Sequence, residues 1–280
     1  QYEMCYTNIL QVLELSEIPL RAADRSDNDP IVIGGGPCTY NPEPIAPFFD
    51  LFYMGEGEVI YDQLLDLYLA HKEAGGDRSS FLKKAAALPG IYVPSLYDPR
   101  YREDGTLSSF EPLCPEAPAS VRRLVMSVLD RADFIDTPLV PFIRVTQDRS
   151  VLELMRGCIR GCRFCQAGNV YRPQREHSVE YLKRYAEKLL KITGNEEISL
   201  SSLSSSDYSR LQEFLEYLIQ YTKERKINIS LPSLRIDAFS LDVMQRIQDV
   251  KKSSLTFAPE AGTQRLRDVI NKGITAEDIM

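Results

Sequence analysis

Three cysteines fall within eight residues, at Cys158, Cys162 and Cys165. The spacing is C-x3-C-x2-C, and few folds tolerate three thiols so close unless they share a task. The apolar run Val151-Leu152-Glu153-Leu154-Met155 leads into them and predicts a short buried strand. Gly157 and Gly161 then give the backbone the freedom that a tight loop needs. Three thiolates on one side of a loop suit a soft metal centre. Iron–sulfur clusters normally take four thiolates, so a loop with three leaves one iron open to a ligand that is not protein. The competing arrangement is a structural zinc site made of Cys158, Cys162, Cys165 and His177. Its spacing departs from the separated C-x2-4-C and H-x3-5-H halves that such sites use.

The loop, with Phe164 just before the third cysteine and a strand just before the first, resembles the radical SAM superfamily. The resemblance implies a [4Fe–4S] cluster on Cys158, Cys162 and Cys165. It implies S-adenosylmethionine (SAM) on the fourth iron through its amino and carboxylate groups, with Phe164 near the adenine. Reductive cleavage of SAM would yield a 5′-deoxyadenosyl radical that abstracts hydrogen from a substrate. A flavodoxin- or ferredoxin-like electron donor is implied as partner.

The same resemblance marks residues further along. The serine run after the second strand of the latter half stands where the family often carries Gly-Gly-Glu on the SAM amino group. No Glu is present, so Ser202, Ser204 or Asp207 would substitute. Arg235 would reach the SAM carboxylate and Glu260 the ribose. The alternative for Arg235, Asp237 and Glu260 is a structural set of ion pairs at strand ends. Arginines 156, 160, 163, 172 and 175 occupy a stretch with no acid. A cluster held by three thiolates is anionic, and positive charge nearby stabilises its reduced form; any one of these arginines is expected to point to solvent or pair elsewhere.

The chain of 280 residues predicts one or two domains. A net charge of −7 argues against a general nucleic-acid-binding surface. No apolar run is long enough to span a membrane, and no signal peptide is visible. The remaining cysteines, Cys5, Cys38 and Cys114, are scattered, which does not describe a disulfide framework. A reducing, cytoplasmic location is the expectation.

The fold class expected is α/β: an N-terminal partial Rossmann-like domain over 1–75, a connecting region over 76–150, and an incomplete (β/α) radical SAM partial barrel over 151–280. In the first part, Ile9, Leu10, Val12, Leu13 and Leu15 predict a buried helix. Ile31–Ile33 and Leu51–Met54 predict strands, Pro42–Phe49 a short helix, and Val59, Ile60, Leu64, Leu65 and Leu67 the core side of another helix. Gly34–Gly36 is read as turn glycines, because the full G-x-G-x-x-G pattern is missing. The proline-punctuated connecting region holds two candidate strands, Leu124–Val128 and Pro141–Val145, and no long helical period. From 151 onward four strand–helix repeats are expected. They comprise strands at 151–155, 198–200, 227–231 and 254–257. Helices follow after Ser178, after Asp207 as cap, after Ser240, and around Leu266–Ile270, with a capping box at Thr275–Asp278.

Pro30–Pro37, Asn41–Pro44 and Gly55–Glu58 resemble the latter half of a cobalamin-binding-type domain. With Phe257–Thr275 they resemble an uncharacterised group of radical SAM proteins bearing such a domain, and the latter stretch is also similar to the methylthiotransferase branch. The D-x-H-x-x-G cobalamin signature is absent. His71 has Leu69 and Ala74 where that motif needs Asp and Gly, so it is expected as a solvated helix-end residue and cobalamin as unsupported. The chain ends before the last two of six barrel repeats, so it is expected to be a fragment that binds SAM weakly.

Overall fold

The computed structural model describes residues 2–131, 135, 137–143, 145–232, 234–238 and 257–280. Two compact units divide the chain, Gln1–Met126 and Ser127–Met280. No helix among the described residues is long and apolar enough to cross a membrane.

The first unit is built on a three-stranded sheet ordered β1–β2–β3: Ile33–Gly34, Leu51–Tyr53 and Ile91–Tyr92. The first pair is parallel and the second antiparallel. The central strand is apolar at every position because both faces are covered, and successive side chains serve opposite faces. Leu51 and Tyr53 join Leu64, Phe81 and Ala85 of helices α2 (Tyr61–Glu73) and α3 (Arg78–Ala86). Phe52 faces Phe49, Tyr92 and Tyr97, under a hairpin of β4 (Tyr97–Tyr101) and β5 (Leu107–Pro112). Asp50, fully buried beside the central strand, is paired with Arg25 at 2.8 Å and Arg78 at 2.7 Å.

Several expectations for this unit are corrected. Helix α1 (Tyr6–Leu15) exists, but only Leu13 is buried, and Val12 and Leu15 are 61% and 78% exposed. The stretch Glu43–Phe48 is 3-10 helix, with prolines at two of its positions. His71 is not solvated. It is buried, with Nε2 2.9 Å from the Asp77 carbonyl and Nδ1 3.2 Å from the Lys84 ammonium. The turn after α2 folds back over the ring, which local sequence does not reveal. The span expected as a connecting region contains α3, β3 and the hairpin. Of the candidate strand at 124–128, only Leu124 makes a bridge, to Gly55. The described residues of 141–145 form no strand.

The second unit has a parallel sheet ordered β10–β9–β6: Asn228–Ser230, Glu197–Ser201 and Ser150–Glu153. Helices α5 (Val179–Thr193) and α6 (Leu211–Lys223) connect its strands and pack Leu182, Ala186, Leu190, Phe214 and Leu218 against Leu152, Ile198, Leu200 and Ile229. Ser178 caps α5 by accepting from the Tyr181 amide, and Gly194 ends it at φ +68°. The run before the cysteines is not buried throughout, because Leu152 and Leu154 point inward while Val151 is exposed. The α/β expectation therefore holds. The predicted helix after Ser240 and residues 254–256 of the fourth strand lie outside the described residues, and Phe257 is in no strand. Helices Gln264–Val269 and Ala276–Ile279 follow, the latter with the expected Thr275–Asp278 capping box.

Candidate metal centre

The cysteine loop is an excursion from the sheet whose two ends are tied together. Met155–Arg156 (β7) enters it, and Arg175–Glu176 (β8) leaves it and pairs with β7 antiparallel, Met155 opposite Glu176. Gly157 turns the chain at φ +85°, and a Cβ there would lie 2.6 Å from the Tyr171 carbonyl oxygen. Only glycine permits this close approach of the loop's two limbs. The short helix α4 (Ala167–Val170) follows the third cysteine.

All three cysteines are free and half-buried. Backbone amides already point at two of the sulfurs: the Arg160 N–H donates to Cys158 Sγ at 3.4 Å and the Gly168 N–H to Cys165 Sγ at 3.3 Å. Such donors stabilise a thiolate and are the kind of contact that tunes iron–sulfur centres. Among the described residues no three His, Cys, Asp or Glu side chains are gathered on one point as a single metal ion requires. In a cluster each thiolate takes a different iron, so its sulfurs stand apart. The four-ligand zinc set is not assembled, since His177 is buried, stacked on Tyr181 with ring centroids 4.2 Å apart, and bonded through Nδ1 to Asp130 at 3.1 Å. Burial holds its imidazole below the ordinary value, against the pull of Asp130.

Ionic contacts join the loop to the C-terminal ends of β9 and β10, where a parallel sheet presents its functional loops. Arg160 grips both oxygens of Asp207, with Nε at 2.8 Å, and stands 3.6 Å from Asp237. Asp207 is therefore not the cap of α6, which starts at Leu211 with no side-chain cap. Burial raises the Asp207 pKa, but the hydrogen bonds from Arg160 and Ser204 outweigh it and hold the carboxyl below its ordinary value. Arg163 donates its amide to Ile270 O at 2.9 Å and its guanidinium to Val269 O, while Asn271 holds the Gly161 carbonyl. Nothing in the local pattern of 269–272 announces that it clasps a loop a hundred residues earlier.

The residues marked for SAM are placed as follows. Phe164 is exposed, with the Lys272 ammonium 5.9 Å from its ring centroid. Ser204 is buried and donates to Asp207 at 2.7 Å, and Ser202 bonds Ser205 at 2.9 Å. Arg235 is buried, bidentate to Asp237 with both contacts at 2.9 Å, and donates to the Lys272 carbonyl at 2.8 Å. Glu260 pairs with Lys272 at 3.1 Å. The ion-pair set weighed for Arg235, Asp237 and Glu260 is thus present, with Lys272 completing it.

Comparison with known proteins agrees with this geometry. Residues 1–94 match the family model described as radical SAM proteins, N-terminal, and residues 152–280 match that of the radical SAM superfamily. The chain is 30% identical over 289 residues to an uncharacterized protein of Methanocaldococcus jannaschii, covering 100% of this chain and 52% of that protein. It is 26% identical to an uncharacterized methyltransferase of Pyrococcus horikoshii, over 91% of this chain and 50% of the other. The chain thus spans about half the length of the curated relatives it matches. Among solved structures it is similar to the radical SAM methyltransferase TsrM from Kitasatospora setae with cobalamin and a [4Fe-4S] cluster bound. That match has a TM-score of 0.55 and 13% identity, over 98% of this chain and 49% of the other. The cobalamin-dependent enzyme OxsB matches at TM-score 0.51 and 15% identity, over 97% and 35%. Both neighbours carry cobalamin, so the exclusion of that cofactor drawn from the missing signature is not supported. On the cysteine loop, the parallel sheet beneath it and the two family matches, the chain belongs to the radical SAM superfamily.

Proposed function

We propose that this chain forms the cluster- and SAM-binding part of a radical SAM enzyme. The observation that carries the reading is the three-cysteine loop, zipped at its base by β7 and β8 and already supplied with backbone donors to two sulfurs. Cys158, Cys162 and Cys165 would hold a [4Fe–4S] cluster. When bound, cluster and SAM supply reductive cleavage of the sulfonium and hydrogen abstraction from a substrate. Arg160, Asp207, Arg235 and Asp237 fix the rim of the site, Phe164 offers an exposed ring to an adenine, and Ser202, Ser204 and Glu260 complete the polar edge. A flavodoxin- or ferredoxin-like protein is the donor in this proposal. The name of the Pyrococcus horikoshii relative supports methyl transfer as the overall reaction. His71 is locked in the first unit's core, so cobalamin would bind without it as a ligand.

Anaerobic reconstitution with iron and sulfide tests the reading. A brown protein with about four irons per chain is expected, forming 5′-deoxyadenosine from SAM under dithionite. One tightly held zinc and no iron would overturn it. Absorbance titration with hydroxocobalamin decides the cobalamin question separately.

A further inference from the structure

Arg160 lies between the first two cysteines. Its amide points at Cys158 Sγ at 3.4 Å, so its guanidinium is carried on the same short stretch as the first two cysteines. Its charge is nevertheless answered at once by Asp207, whose side chain is only 5% exposed. Ser204 fixes that carboxylate at 2.7 Å, and Asp237 adds a second negative charge 3.6 Å from Arg160. Asp237 is balanced in turn by Arg235. Two arginines and two aspartates therefore form a set with no net charge beside the loop. Both acids lie outside the cysteine loop, and Asp207 is the one in direct contact with Arg160 through both carboxylate oxygens.

We propose that Arg160 and Asp207 act as an opposed pair that sets the reduction potential of the cluster. The inference rests on the cluster reading given above. Reduction adds one electron, delivered by a ferredoxin- or flavodoxin-type donor, with no bond made or broken and no proton taken up. The product carries one more negative charge than the oxidised cluster. A cation beside it favours that product and an anion disfavours it, and a side chain sheltered from water is little screened by salt. Asp207 thus cancels attraction that Arg160 alone would exert on the incoming electron. Both are positioning residues, acting on the cluster through charge.

The two charges can be removed separately, each by a neutral polar side chain. In reconstituted full chains, Asp207→Asn leaves the arginine uncompensated and raises the midpoint potential. Arg160→Gln leaves the carboxylate uncompensated and lowers it. The double variant has the same net charge as the parent and returns close to the parent potential. A purely structural role would give no such opposition, because both single variants break the same contact and would move the potential the same way. The measurement is a redox titration followed by electron paramagnetic resonance of the reduced cluster, with iron content determined on each sample. Asp237→Asn is a second variant outside the loop, and its potential is expected to rise less than that of Asp207→Asn. Intact clusters with unchanged potentials, or with both single variants shifted the same way, would overturn the pairing alone. Absence of an iron–sulfur cluster from the unsubstituted protein would overturn the functional reading itself.

Discussion

Asn271 donates its side-chain amide to the main-chain carbonyl of Gly161 at 2.9 Å, across 110 residues of sequence. It does so from a left-handed backbone conformation, φ +55°, which asparagine tolerates better than most residues. Asn271→Ala loses the bond, worth about 1 kcal/mol, and adds a left-handed penalty of about 1–2 kcal/mol. Asn271→Gly loses only the bond. Urea unfolding followed by circular dichroism is expected to rank parent above Asn271→Gly above Asn271→Ala. Equal midpoints for the two variants would show that the backbone there carries no strain.

Gly157→Ala meets two carbonyl oxygens at once, those of Tyr171 and Pro173, at 2.6 and 2.8 Å, and also sits at φ +85°. The loop's limbs are forced apart, at a cost of about 3 kcal/mol or more. Iron content after reconstitution is expected to collapse although every cysteine is intact. A full iron load in this variant would mean that the limbs need not touch.

Single replacements of Cys158, Cys162 or Cys165 by Ala are expected to abolish the [4Fe–4S] cluster, and replacements of Cys5, Cys38 or Cys114 to leave it. Only the first three share one loop, and Cys5, Cys38 and Cys114 all lie in the first unit. Iron analysis of the six proteins decides the matter, with an unchanged load in Cys162→Ala as the damaging result.

Asp50→Ala removes one carboxylate and strands two guanidiniums, those of Arg25 and Arg78, in a site where Asp50 also accepts the Val32 amide at 2.7 Å. Breaking a buried pair in this way costs about 3–5 kcal/mol. Hydrogen exchange read by mass spectrometry is expected to accelerate in peptides of residues 2–126. Exchange in the second unit serves as the internal control.

Acid weakens the second unit in two steps. His177 has its pKa lowered, chiefly by burial, so the unfolded chain takes up this proton first. Stability from keeping the ring neutral is fully present above its ordinary pKa of 6.5 and is lost as pH falls from there through the folded value. Asp130 and Asp207 are also lowered. For both, burial works the other way and is outweighed by hydrogen bonds, from Ser178 and His177 in one case and from Arg160 and Ser204 in the other. Their contribution is present above the ordinary carboxylate value of 3.8 and disappears as pH falls through the folded values. His177→Phe keeps the stack on Tyr181 and is expected to flatten the upper step of the stability–pH curve. A curve parallel to the parent's there would show that His177 does not titrate with folding.

Features that depend on neighbours along the chain were legible from the residues alone. The strands at 150–153, 197–201 and 228–230, the helix opened by Ser178 and closed by Gly194, and the capping box at Thr275 all follow from local rules of period and cap. The thiol loop was equally legible, because its ligands lie within eight residues. The pairing of charges depends instead on which segments folding brings together. Asp207 carries the sequence signature of a helix cap, yet it serves Arg160, since a guanidinium arriving from the cysteine loop outcompetes a solvated helix end for a sheltered carboxylate. His71 reads as a surface histidine until the turn after α2 and the start of α3 close over it. Asn271 and Lys272 carry no local signal of their role, because a contact spanning most of a domain depends on where folding brings two segments, and not on the composition of either.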